Sequence, residues 1–68
     1  MTVIKNEILN LKTNLRNTEN LKKEYENLLK ESNLSEREIK FYETIIYGLR
    51  CNIIELEGFL KIHRELLN

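Results

Sequence analysis

At 68 residues, with eleven basic and eleven acidic side chains, the chain is at most one small domain of zero net charge. One Cys excludes an internal disulfide, and one Cys with one His cannot supply tetrahedral metal ligands, so regular helix packing and oligomerisation remain as the means of stabilising it. Balanced charge provides no broad field for steering nucleic acid or acidic lipid, and no apolar run approaches the ~18 residues that span a bilayer.

The first predicted element is a helix over about residues 3–31. Ile4, Ile8, Leu11 and Leu15 follow one heptad stripe, and Leu21, Tyr25 and Leu28 follow another. The two stripes are offset by a three-residue slip near Asn17-Thr18, which overwinds a coiled coil locally. Asn14, Asn17, Thr18 and Asn20 are indifferent helix formers, because short polar side chains compete for the backbone. Arg16–Asn20 is therefore where this helix would kink, with Thr18 as the cap if it breaks.

Residues 32–35, Ser-Asn-Leu-Ser, form the expected turn, short enough to fold two helices antiparallel. Ser35 and Glu38 make a capping box, and Leu34 and Ile39 stand where a hydrophobic staple belongs. These signals agree on a second helix over about residues 36–66.

That second helix carries the strongest pattern in the chain. Ile39, Tyr42, Ile46, Leu49, Ile53, Leu56, Leu60, His63 and Leu67 recur at alternating gaps of three and four, the rhythm of a helix packed lengthwise on another. Folding the chain about residue 34 would set Leu29 opposite Ile39, Leu15 opposite Ile53, Leu11 opposite Leu56 and Ile8 opposite Leu60. Thr18 would face the Ile46–Leu49 stretch, and His63 would come near Ile4 and Glu7. Glu19/Lys23, Glu26/Lys30, Glu36/Lys40 and Glu57/Lys61 stand at the favoured i,i+4 spacing on exposed faces.

A second face of this helix lies opposite the seam. Thr44, Gly48, Cys51, Glu55 and Gly58 repeat at gaps of four and three, flanked by Phe41, Tyr47, Ile54 and Ile62. A helical Gly costs about 1 kcal/mol relative to Ala, so two on one side suggest close approach of another backbone. Phe41, Thr44, Ile45, Tyr47, Gly48, Cys51, Ile54, Gly58 and Ile62 are accordingly the candidate interface with a partner. The domain, spanning 1–68, is expected to be an all-α, two-helix antiparallel hairpin that dimerises into a four-helix bundle with the second helices central. Parallel and antiparallel dimers both remain open.

No Gly-rich phosphate loop, paired catalytic carboxylates or Ser/His/Asp set is present, so no enzyme, cofactor or metal is expected. His63 reads as a hairpin-end residue rather than a catalyst, and Cys51 as a small packing residue rather than a nucleophile. Lys12, Arg16, Lys22 and Lys23, with Arg50, Lys61 and Arg64, would serve nucleic acid only if they converged on one face; Glu19, Glu24 and Glu26 interrupt them.

The two-helix plan resembles that of the sporulation-regulating phosphatases that act on a response regulator. Their Ser-Gln-Glu-Leu-Asp stretch is replaced here by Tyr42-Glu43-Thr44-Ile45-Ile46, so their activity does not carry over. In size and layout the chain also resembles the dimeric hairpins that pair plasmid RNAs. Leu34-Ser35-Glu36-Arg37-Glu38 echoes sigma-factor-like DNA-binding domains, but no helix-turn-helix follows it.

The sequence lacks Pro, Ala, Asp, Gln and Trp and is rich in residues of A/T-rich codons, which suits a low-GC bacterium or its phage or plasmid. Its first residues carry no long apolar core or cleavage site, and its cysteine is unpaired, so a bacterial cytoplasm is expected. The expected function is a non-enzymatic protein-binding module, a homodimeric adaptor or inhibitor of a host or defence protein encoded by a mobile element. The alternative is an RNA- or DNA-binding regulator.

Overall fold

A computed structural model describes residues 2–67; Met1 and Asn68, the ends of the expected 1–68 domain, lie outside the described residues. Two helices, α1 (Thr2–Leu28) and α2 (Glu36–Leu67), pack against each other as a hairpin. The molecule measures 51 × 14 × 13 Å. That is one helix thick in depth and about the length of α2, whose 32 residues rise about 48 Å.

The start of α2 is set by the capping box. The Glu38 N–H donates to Ser35 Oγ at 3.1 Å, and the Ser35 N–H donates to Glu38 Oε1 at 3.2 Å. The Ile39 N–H then bonds the Ser35 carbonyl at 3.0 Å, closing the first turn. Glu36 and Glu38 in the first turn and Arg64 in the last complement the helix dipole. α1 has no such charges at either end.

α1 stops three residues before the expected Glu31, and the connection is 29–35 rather than 32–35. The reason lies in its last turn. Lys30 and Glu31 donate to the carbonyls of Asn27 and Leu28, three residues back, so the helix tightens and ends without a Gly or a left-handed residue to cap it. This longer connection lets α2 begin beyond the end of α1. Ile39, expected within the seam, is consequently 37% exposed.

α1 is continuous through Arg16–Asn20. Thr18 does not cap a break; its hydroxyl donates to the Asn14 carbonyl one turn back at 2.8 Å. The expected slip is also absent. Ile4, Ile8, Leu11, Leu15, Thr18, Lys22 and Tyr25 are buried or half-buried and form one uninterrupted heptad stripe, with Glu26 and Leu28 also half-buried in the last turn, whereas Leu21 is exposed. Lys22 belongs to the seam because its methylene stem covers apolar surface while the ammonium reaches out to Glu26 at 3.4 Å.

On α2 the seam runs as expected from Tyr42 through Ile46, Leu49, Ile53, Leu56, Leu60 and His63 to Leu67, each buried or half-buried. Its cross-helix register is close to that of a fold about residue 34: His63 meets Glu7, as expected. Leu11 shares a cleft with Phe59 and His63, and Leu15 shares one with Leu60 and Arg64. Tyr25 and Tyr42 rings meet at 5.8 Å near the closed end. Among the described residues only Ile8, Ile46 and Leu60 are buried apolar side chains, and each keeps 7–8% of its surface exposed, as expected of two helices with a single shared seam. The four expected Glu-to-Lys pairs do not close; exposed pairs gain too little to hold two long side chains together.

Candidate interaction surfaces

Two broad faces flank the seam, and they differ in chemistry. One is charged. Glu19, Lys22, Lys23 and Glu26 of α1 line a cleft with Arg50, Ile53 and Ile54 of α2, and the next cleft joins Glu26 and Leu29 to Glu43, Ile46, Tyr47 and Arg50. By heptad position Lys5, Lys12 and Arg16 of α1 and Lys61 and Arg64 of α2 continue this face.

The other face is lined by Glu7, Asn10, Leu11 and Asn14 of α1 with Phe59 and His63 of α2. Along α2 it comprises Phe41, Ile45, Gly48, Asn52, Glu55, Phe59, Ile62 and Leu66, at alternating gaps of four and three. This is a second heptad stripe beside the first. Phe41 is 60%, Ile62 54% and Leu66 60% exposed, Phe59 is also exposed, and Ile45 is half-buried. No Lys or Arg within α1 or α2 occupies this face. The net charge of zero therefore hides an asymmetry: one face carries basic residues together with the exposed Tyr47 and Ile54, and the other carries open apolar residues without a Lys or Arg.

The residues picked out from sequence are not brought onto one surface. Phe41, Ile45, Gly48 and Ile62 lie on the face without basic residues. Tyr47 and Ile54, the most exposed of the group at 70% and 71%, belong to the charged face. Thr44, Cys51 and Gly58 lie on the ridge between, furthest from α1, all exposed. A Cβ built on Gly48 or on Gly58 meets nothing within 4 Å, so the hairpin's own packing requires neither glycine. Phe59 and Leu66, which stand away from the glycine pattern, join this face, and their alternation with Phe41, Ile45 and Ile62 is the sequence signal that marks them.

At the open end, Glu7 and His63 meet. His63 Nδ1–H donates to the Phe59 carbonyl at 2.7 Å, and Nε2 lies 2.6 Å from Glu7 Oε2. Two acceptors on one ring suit the imidazolium, and the backbone bond first, then the Glu7 bond, raise the His63 pKa above its usual range. Both groups are spent on each other and on the helix. Among the described residues no set of three His, Cys, Asp or Glu side chains is placed to hold a metal ion, and no helix is long and apolar enough to cross a membrane.

The chain exposes 5623 Å², whereas a compact monomer of its mass, 8.2 kDa, exposes about 4,500 Å². The excess of about 1,100 Å² follows from the 51 × 14 × 13 Å shape, a rod of two helices with one shared seam. Comparison with protein-family models, with curated proteins and with solved structures finds no match.

Proposed function

We propose that the chain is a non-enzymatic protein-binding module: a helical hairpin that pairs with a second copy through α2 and, as a homodimer, engages another protein as an adaptor or inhibitor. The observation that carries this is the row of open apolar side chains on α2, Phe41, Phe59, Ile62 and Leu66, which the hairpin's own seam leaves uncovered. A hairpin with three buried apolar side chains, none of them completely shielded, gains little from its own core, so burial between molecules is the natural source of further stability. The unpaired Cys51 fits work in a reducing cytoplasm.

Sedimentation equilibrium over a wide concentration range tests the first step. A dimer dissociating only at low concentration supports it; a folded monomer at ~100 μM removes it.

A second function has its own support. Lys5, Lys12, Arg16 and Lys23 share a face with Arg50, Lys61 and Arg64, the convergence that phosphate binding needs, though Glu19, Glu26, Glu43 and Glu57 are interleaved. Affinity for duplex RNA or DNA that falls steeply between about 50 and about 200 mM salt would favour a nucleic-acid regulator over an adaptor.

A further inference from the structure

The α2 stripe Phe41, Ile45, Gly48, Asn52, Glu55, Phe59, Ile62 and Leu66 is nearly symmetric end to end: large apolar residues at both ends, small or polar ones in the middle. A helix patterned in this way complements a reversed copy of itself. Deepening the homodimer proposed above, on which it rests, the geometry points to a second copy of this chain as the occupant of the face without basic residues, with the two α2 helices antiparallel about a two-fold axis between residues 53 and 54.

One register satisfies the pattern. In an antiparallel pair the residue facing position i runs backward along the partner, so the register is fixed by a single pairing. With Phe41 on Leu66 of the other copy, Ile45 falls on Ile62, Gly48 on Phe59 and Asn52 on Glu55, and the two-fold repeats each layer. The outer layers are wholly apolar. The Phe59 ring enters the space that Gly48 leaves, where no other atom of the hairpin lies within 4 Å. The central layer sets an amide donor against a carboxylate, a polar pair that fixes alignment as a buried Asn does in coiled coils.

The alternatives are worse on the same residues. A parallel pair stacks Glu55 on Glu55 and leaves Gly48 facing Gly48 across a void. Sliding the antiparallel pair by one heptad sets Ile45 against Glu55 in one direction and Phe59 against Glu55 in the other. The absence of Lys and Arg from the face makes the symmetric pairing permissible, because no two cations are brought together.

Disulfide trapping in full-length chain carrying Cys51→Ser tests this. Two single-cysteine variants, Ile45→Cys and Ile62→Cys, are mixed, oxidised gently and resolved by mass, with Phe41→Cys and Leu66→Cys as a second pair should the first unfold by circular dichroism. Mixed 45–62 dimers, with each variant alone remaining uncrosslinked, are expected. Residue 45 crosslinking to itself identifies a parallel pair and overturns the inference while leaving the homodimer standing. No crosslink in a chain that still sediments as a dimer places the interface elsewhere and also overturns it. A monomer of the unsubstituted chain by sedimentation defeats the homodimer itself.

Discussion

His63 Nε2 lies 2.6 Å from Oε2 of Glu7, joining the last turns of α2 to the first turns of α1 across 56 positions of sequence. It is the one charged contact between the helices among the described residues, since Lys22–Glu26 lies within α1. A raised imidazole pKa in the folded state means that the stabilising contribution is complete below about pH 6.5, the usual unfolded value, and is lost as pH rises through the raised one. At fixed protein concentration the thermal midpoint should therefore be higher at about pH 5.5 than at about pH 8.5. His63→Gln should flatten that slope. An unchanged slope in this variant would show that His63 does not control it.

The start of α2 rests on one hydroxyl. Ser35 Oγ accepts the Glu38 N–H at 3.1 Å, and without it that donor loses its partner, while the Ser35 backbone N–H still donates to the Glu38 carboxylate. Ser35→Ala should cost about 1 kcal/mol, and Ser35→Gly only a few tenths. Urea midpoints read both. Equal losses from the two substitutions would mean that the serine acts through something other than its cap.

Lys22 and Thr18 occupy seam positions that a search for apolar residues passes over. Lys22→Leu should stabilise the hairpin by about 1 kcal/mol: a fully apolar side chain gains more at a half-buried position than the surface-grade pair with Glu26 loses. A rise in the urea midpoint is expected. A fall would show that Lys22 is not part of the seam.

The seam of α2 was legible from sequence because Ile and Leu repeat there without interruption, and the Ser35 box fixed where that helix begins. α1 departs from its sequence pattern in two ways, each with a physical cause. A lysine stem buries like an aliphatic chain, so Lys22 hid a continuous stripe behind an apparent slip. The end of α1 has no Gly, Pro or capping signal, and the local hydrogen bonds of residues 30 and 31 decide it. The open surface was half legible. Counting apolar residues near the glycines joined Phe41 and Ile62 to Tyr47 and Ile54, and only the placement of α1 shows that these lie on different sides of α2.

That separation gives a paired test. Ile54 is 71% exposed and Ile62 54%, so exposure alone ranks Ile54 as the better interface candidate. Its place beside Lys22, Lys23 and Arg50 argues the reverse. Ile62→Lys should weaken self-association about a hundredfold or more, because it buries an ammonium twice per dimer against Ile45 of the other copy. Ile54→Lys should leave the dissociation constant within a few-fold. Sedimentation of both variants decides, and the opposite ranking would move the interface to the charged face.

Gly48 and Gly58 separate helix propensity from assembly. Neither glycine has a neighbour within 4 Å of a built Cβ, so within one hairpin either substitution gains the helix preference, about 1 kcal/mol for Ala over Gly. Gly58 lies on the outer ridge, and Gly58→Ala should raise the urea midpoint without weakening association. Gly48 lies on the stripe shared with Phe59 and Ile62. Gly48→Leu should keep the isolated hairpin at least as helical, since Leu is also a better helix former than Gly, yet fill the space that Phe59 of the second copy requires. The expected signature is a more stable chain by circular dichroism at low concentration that sediments as a monomer where the unsubstituted chain is dimeric. If Gly48→Leu dimerises as tightly as the unsubstituted chain, Gly48 is no hole for Phe59, and the helices meet on another side.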